Sequence, residues 1–276
     1  MVDTIQYIIF GIITGIMGIA AVPLSGFIRK IEDGHICRQC ELEKKCFARK
    51  PLEFRKSNYV SEFMLLSYYK VQKYCKCVKP ILFQNGLAYI LVNVMLVTIL
   101  FWSKGWNLTG ILFSIVVSAL LSLSIVDWNT QYIPLEYTAV IFGCGLIRLF
   151  ADFSNWLNCL IGLIAVSGFL CVVNWISTPM LRKRYQGERE IDSGLGDGDI
   201  KLMAATGLLL GWKLNFLALG IGCIAGSVIH LILMRIKEGD RQFALGPYLS
   251  LGVYITMICG EQLVGWYLNM VGVKPL

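Results

Sequence analysis

A chain of 276 residues that is 56% hydrophobic and only 16% charged lacks the composition of a soluble globular protein, in which about 25% of residues are charged. Its apolar runs approach the ~20 residues that span a bilayer. A formal net charge of +7 would suit nucleic acid, but its distribution argues against that partner. Lys and Arg gather in residues 29–80, 182–201 and 235–241, with only Lys104, Arg148, Lys213 and Lys274 elsewhere. That asymmetry is the one cytoplasmic loops show under the positive-inside rule, so the expected surroundings are membrane lipid.

The N-terminus, from Met1 to Tyr7, has no basic segment, and its apolar run passes Ile19. That is longer than the h-region of a signal peptide, about 7–15 residues, so a retained first span near Ile5 to Ile28 is expected. Residues 29–80 form a polar, basic, cysteine-bearing insert. A second span is expected near Ile81 to Trp102, a turn over Ser103 to Asn107, and a third span from Leu108 to Val126, ending at Asp127. Ile133-Pro134 opens a fourth, to about Phe150. The fifth runs from Trp156 to Ile176 and stops at Pro179. A charged loop from Leu181 to Asp199 precedes a short sixth span, Ile200 to Gly211, and dips toward the membrane. The seventh lies near Leu214 to Met234, and the eighth runs from Gly246-Pro247 to about Met270. No internal repeat is evident. The expected fold is all-α, a polytopic helical membrane protein of about eight transmembrane helices. It divides into a first helix (1–28), the insert (29–80) and a transmembrane core (81–276). Eight spans place both termini on one side, and the basic loops make that side the outside. Asp127 and Asp199 then both fall at cytoplasmic helix ends.

The insert carries five of the ten cysteines: Cys37, Cys40, Cys46, Cys75 and Cys77. The reducing cytoplasm disfavours disulfides. Cys37-x-x-Cys40 is half of a zinc site, and Cys75-x-Cys77 supplies the other pair of thiolates for a tetrahedral ion. The second knuckle is one residue short, and His35 and Cys46 are spare ligands. Unligated thiols are the alternative. Residues 61–74 have the pattern of an amphipathic helix on the membrane surface. The other cysteines, Cys144, Cys159, Cys171, Cys223 and Cys259, fall inside spans and are expected to pack as small apolar residues.

The stretch most charged with chemistry is D-S-G-L-G-D-G-D, residues 192–199, which places three carboxylates and three glycines at the head of an apolar helix. Acids at a membrane helix are costly. Glycine permits positive φ and close backbone approach, which suits Gly196 and Gly198 to bring backbone against Asp199 and a ligand. Lys201 either orients a carboxylate or snorkels to the interface. Asp127 lies 72 residues upstream. Two carboxylates in one site share a proton, so one takes a proton from water while the other protonates a carbonyl oxygen. That is acid–base peptide hydrolysis. Two other readings stay open: solvated acids capping helix N-termini, and a non-enzymatic ion or proton transporter using the same acids. His230 stands alone in the seventh span and is expected to be packed or hydrogen-bonded. No serine, histidine and aspartate set competes.

These residues resemble the type IV prepilin peptidase family, the membrane aspartic proteases with a G-x-G-D motif. Gly196-Asp197-Gly198-Asp199-Ile200-Lys201-Leu202 is similar to the family's G-x-G-D-x-K-L, and Asp127 with Ile133-Pro134 to its D-x-x-x-x-x-I-P. Phe243-Ala244-Leu245-Gly246-Pro247 looks like its F-G-P segment, and the paired cysteines like its insert. The resemblance implies that Asp127 and Asp199 are the catalytic pair. It implies cleavage of short basic leaders from prepilin-like proteins at the cytoplasmic face of the inner membrane. It also implies N-methylation of the new N-terminus with S-adenosylmethionine in many members. Of the two overlapping G-x-G-D readings, only that ending at Asp199 is followed by I-K-L and runs straight into the helix. Asp199 rather than Asp197 is therefore the expected second acid.

Overall fold

The computed structural model describes residues 2–19, 82–130, 133–184, 194–236 and 244–272. These residues are all-α: eight α-helices, one 3-10 turn, and no strand among the described residues. The helices are α1 (Val2–Ile19), α2 (Leu82–Lys104), α3 (Leu108–Thr130), α4 (Leu135–Ala151), α5 (Trp156–Arg184), α6 (Asp197–Leu210), α7 (Trp212–Ile236) and α8 (Gly246–Val271). They stand where eight spans were expected. Four, namely α2, α3, α5 and α7, contain windows long and apolar enough to cross a membrane. The insert, with Cys37, Cys40, Cys75 and Cys77, lies outside the described residues.

Large apolar side chains are exposed along the helices, among them Ile13, Trp102, Ile164, Trp175, Ile224 and Trp266. A water-soluble monomer rarely exposes apolar surface so continuously; a lipid-facing wall does. Cys171 and Cys223 are also exposed, whereas Cys144 and Cys159 are buried. The expectation that all span cysteines pack internally therefore holds only in part.

Helix boundaries differ from expectation in three places. Helix α3 continues past Asp127 to Thr130, because no breaker precedes Ile133-Pro134. Helix α5 runs through Pro179 to Arg184. Proline removes one backbone donor, which frees the Trp175 carbonyl four residues back, and helices in lipid tolerate such a loss. Just upstream, the Asn174 carbonyl accepts from Thr178 Oγ1 at 2.7 Å and from Ser177 Oγ at 3.3 Å. Helix α6 opens at Asp197, so both acids of its motif lie in a helical first turn rather than in a dipping loop.

The chain forms two compact units, residues 1–137 and 138–276. In the first, α1 packs on α2 and both meet α3. The fully buried Asn93 donates to the Gly11 carbonyl at 2.9 Å and to Thr14 Oγ1 at 3.1 Å, which ties α1 to α2. Helix α3 starts on a turn with Gly105 at φ +74. Asn107 caps it by accepting the Gly110 N–H at 2.7 Å, the usual N-cap bond. In the second unit, α5 packs on α6 and α7 on α8. Both crossings are glycine-mediated, as is common where helices meet in lipid. A Cβ on Gly207 would lie 2.1 Å from the Gly162 carbonyl oxygen, and one on Gly252 would lie 2.2 Å from that of Ala218.

Candidate active site

Helix α6 begins after Gly196, which is extended at φ −64 and ψ 129. Asp197, Gly198 and Asp199 form the first turn, and the Asp199 N–H donates to the Gly196 carbonyl at 3.1 Å. The dipole at a helix N-terminus favours both acids, but their surroundings differ. Asp197 is exposed, while Asp199 is only 8% exposed. A solvated cap accounts for Asp197. It does not account for Asp199, because withdrawing a carboxylate from water is expensive. Gly196 is needed for space and not for a positive φ: a Cβ there would sit 2.9 Å from Asp199 Oδ2. The carboxylate therefore folds back over the Gly196 Cα. Lys201 is exposed, as a snorkelling side chain would be.

The rest of α6 is gripped along its length. Leu202, Met203, Thr206, Leu208 and Leu209 are buried. Thr206 Oγ1 donates to Asn215 Oδ1 at 2.9 Å, and Asn215 Nδ2 donates to the Met203 carbonyl at 2.8 Å. At the C-terminus, where helical carbonyls lack partners, Arg148 Nη1 donates to the Leu209 carbonyl at 2.6 Å. Gly211, at φ +81, turns the chain into α7. Ahead of α6, the Asn174 side chain accepts from the Gly194 and Leu195 N–H groups at 3.0 and 2.9 Å. Asp199 thus stands on a helix fixed at both ends, which is what a precise site requires.

Asp127 belongs to the first unit. It occupies the last turn of α3 and is 4% exposed. There the dipole opposes negative charge, so neither solvation nor capping explains it. Below it on α3, Ser118 and Ser122 each donate to the carbonyl four residues earlier. Ser122 Oγ also lies 2.8 Å from the hydroxyl of Tyr89. This buried hydroxyl ladder was missed in the sequence, although the Ser114, Ser118, Ser122 spacing marks one helix face. The Asn174/Thr178 pair was missed as well, and its i, i+4 spacing within an apolar span was the available signal. His230 is half-buried.

Residues 114–231 match the type IV leader peptidase family, a stretch that contains both Asp127 and Asp199. Over that stretch the chain is similar to this family. Three similar proteins are each named a prepilin leader peptidase/N-methyltransferase. That of Aeromonas hydrophila is 29% identical over 210 residues, covering 74% of this chain and 69% of the relative. That of Pseudomonas aeruginosa is 27% identical over 213 residues, covering 76% and 70%. That of Neisseria gonorrhoeae is 29% identical over 210 residues, covering 74% and 69%. No solved structure matches the chain. The matched stretch begins at the serine ladder of α3 and ends within α7. The clamped α6 and its acids fall inside it.

Proposed function

We propose that the chain is an intramembrane aspartic endopeptidase that removes short basic leaders from prepilin-like precursors at the cytoplasmic face of the inner membrane. The observation that carries this reading is that Asp127 and Asp199 are each buried whereas Asp197 is exposed, within the stretch that matches the family. In the proposed reaction, the two carboxylates hold one proton between them. The ionised one takes a proton from water as the water oxygen attacks the scissile carbonyl carbon. The protonated one donates to the carbonyl oxygen, which gives a neutral gem-diol. Collapse breaks the C–N bond: one gem-diol hydroxyl returns its proton to the carboxylate that had donated, and the proton taken from water passes to the leaving amine. The products are a free carboxyl and a new N-terminus, with no metal and no covalent intermediate.

Asp197 is exposed, and Glu188, Glu190 and Asp192, outside the described residues, precede it in sequence; attraction of a basic leader to these acids is proposed, with plain solvated charge as the alternative. Methylation of the new N-terminus, with S-adenosylmethionine as donor, is the second proposed activity; it rests on the names of the relatives. The insert 29–80 is proposed to be cytoplasmic and to hold one structural zinc ion through Cys37, Cys40, Cys75 and Cys77, because four thiolates suit that ion. The proposed topology puts both termini outside, with residues 81–276 as the protease core. Incubating the purified protein with a pilin precursor tests the reading. A shortened pilin with a new N-terminus is expected, whereas a precursor left whole by pure, folded protein would favour an ion pathway.

A further inference from the structure

The segment that leads into α6 is held by one face of α5. Asn174 Oδ1 accepts from the Gly194 N–H at 3.0 Å and from the Leu195 N–H at 2.9 Å. Thr178, one turn on, accepts the same Gly194 N–H through Oγ1 at 3.0 Å. Its hydroxyl proton is directed to the Asn174 carbonyl at 2.7 Å, with Oδ1 of the same residue at 3.2 Å. Ser177 closes the cradle: a Cβ on Gly194 would lie 2.3 Å from its Oγ. Asn174, Ser177 and Thr178 stand at i, i+3 and i+4, one face of a helix. Two polar side chains in an apolar span are costly unless satisfied, and here the backbone of Gly194-Leu195 satisfies them. Gly196, over which the Asp199 carboxylate folds, is the very next residue. The overlapping motif thus splits into two jobs: Gly194-Leu195 is the anchor, and Gly196 to Asp199 is the working turn.

We propose that Asn174 and Thr178 are positioning residues for Asp199. They fix where α6 begins, and hence where the Asp199 carboxylate stands, without touching substrate. The proposal rests on the reading of Asp199 as a catalytic acid. Removing the clamp leaves α6 packed along its length but frees its first turn. A misplacement of the order of 1 Å costs about 100-fold in rate, so the expected loss in kcat for Asn174→Ala is about 10- to 100-fold, with KM little changed. Asn174→Asp keeps an acceptor oxygen of the same reach and should recover most of that loss. Thr178→Ser should cleave like the parent, and Thr178→Val should be slow.

A merely structural role would lower the amount of active enzyme and leave its pH profile alone. A displaced Asp199 alters the acid–base step itself, so the pH profile of kcat/KM in Asn174→Ala should differ from the parent's. If Asn174→Ala does not accumulate in the membrane, the Thr178→Val and Thr178→Ser pair decides the matter by the same rate and profile. Unchanged kcat and an unchanged pH profile in Asn174→Ala, or in both Thr178 variants, would overturn the proposal. Asp199→Asn, assayed alongside, separates the two levels. If it is dead while the clamp variants are normal, only the clamp fails. If it cleaves normally, the catalytic reading fails first.

Discussion

Gly196 is the residue at which physical constraint is most local. Its backbone angles are ones any residue adopts, and it is exposed, so little stability rides on it. Among the described residues, the only obstacle to a side chain is the Asp199 carboxylate, 2.9 Å from where a Cβ would be. Gly196→Ala should therefore accumulate normally yet cleave at least about 10-fold more slowly, since small displacements of a reacting group are expensive. Single-turnover cleavage with matched protein levels checks this, and a parent-like rate would mean that the carboxylate swings away freely. The glycines, the acids and their register were legible in the sequence. Of the two reasons the sequence offered for the glycine, positive φ and close approach to Asp199, close approach is the one that applies at Gly196.

At the scale of helices, α5 and α6 act as one device. Their backbones meet at Gly162 and Gly207, where a Cβ on either residue would collide with the other's carbonyl. Gly207→Ala forces the pair apart, and overpacking of this kind costs ~1–3 kcal/mol. Gly168, also on α5, has nothing within 4 Å of its would-be Cβ. Gly168→Ala should be neutral or slightly stabilising, because alanine is the better helix former by about 1 kcal/mol. Thermal unfolding in detergent should thus lower the midpoint for Gly207→Ala and leave or raise it for Gly168→Ala. Equal midpoints would mean that the crossing carries no stability. Apolar run lengths located all eight helices. They misplaced the end of α5, because a proline reads as a stop, whereas the helix runs through Pro179 to Arg184.

For the whole molecule, composition and the clustering of basic residues pointed to a helical membrane protein, and the helical fold with its exposed apolar walls agrees. Asp127 and Asp199 belong to different units, and a 72-residue separation carries no distance information, so their pairing is part of the proposal. The insert was legible only as chemistry. Thirteen of the 25 Lys and Arg lie in residues 29–80, which predicts a cytoplasmic location. Cys75 and Cys77 should resist a membrane-impermeant thiol reagent in intact cells. In opened cells they should react promptly only after a strong chelator strips the proposed zinc. Labelling from outside would reverse the topology, and chelator-independent labelling together with no zinc in the purified protein would dismiss the metal.

The central claim is that two buried acids, and not their exposed neighbour, cut the leader. It is tested most directly by measuring pilin-precursor cleavage by Asp127→Asn, Asp199→Asn and Asp197→Asn at equal membrane levels. One carboxylate cannot both give and take the proton, so the first two variants should show no turnover. Asp197→Asn should lose only a few-fold, through weaker attraction for a basic leader. A dead Asp197→Asn with a normal Asp199→Asn would shift the site by two residues. Normal cleavage by both Asp127→Asn and Asp199→Asn would contradict the aspartic mechanism itself.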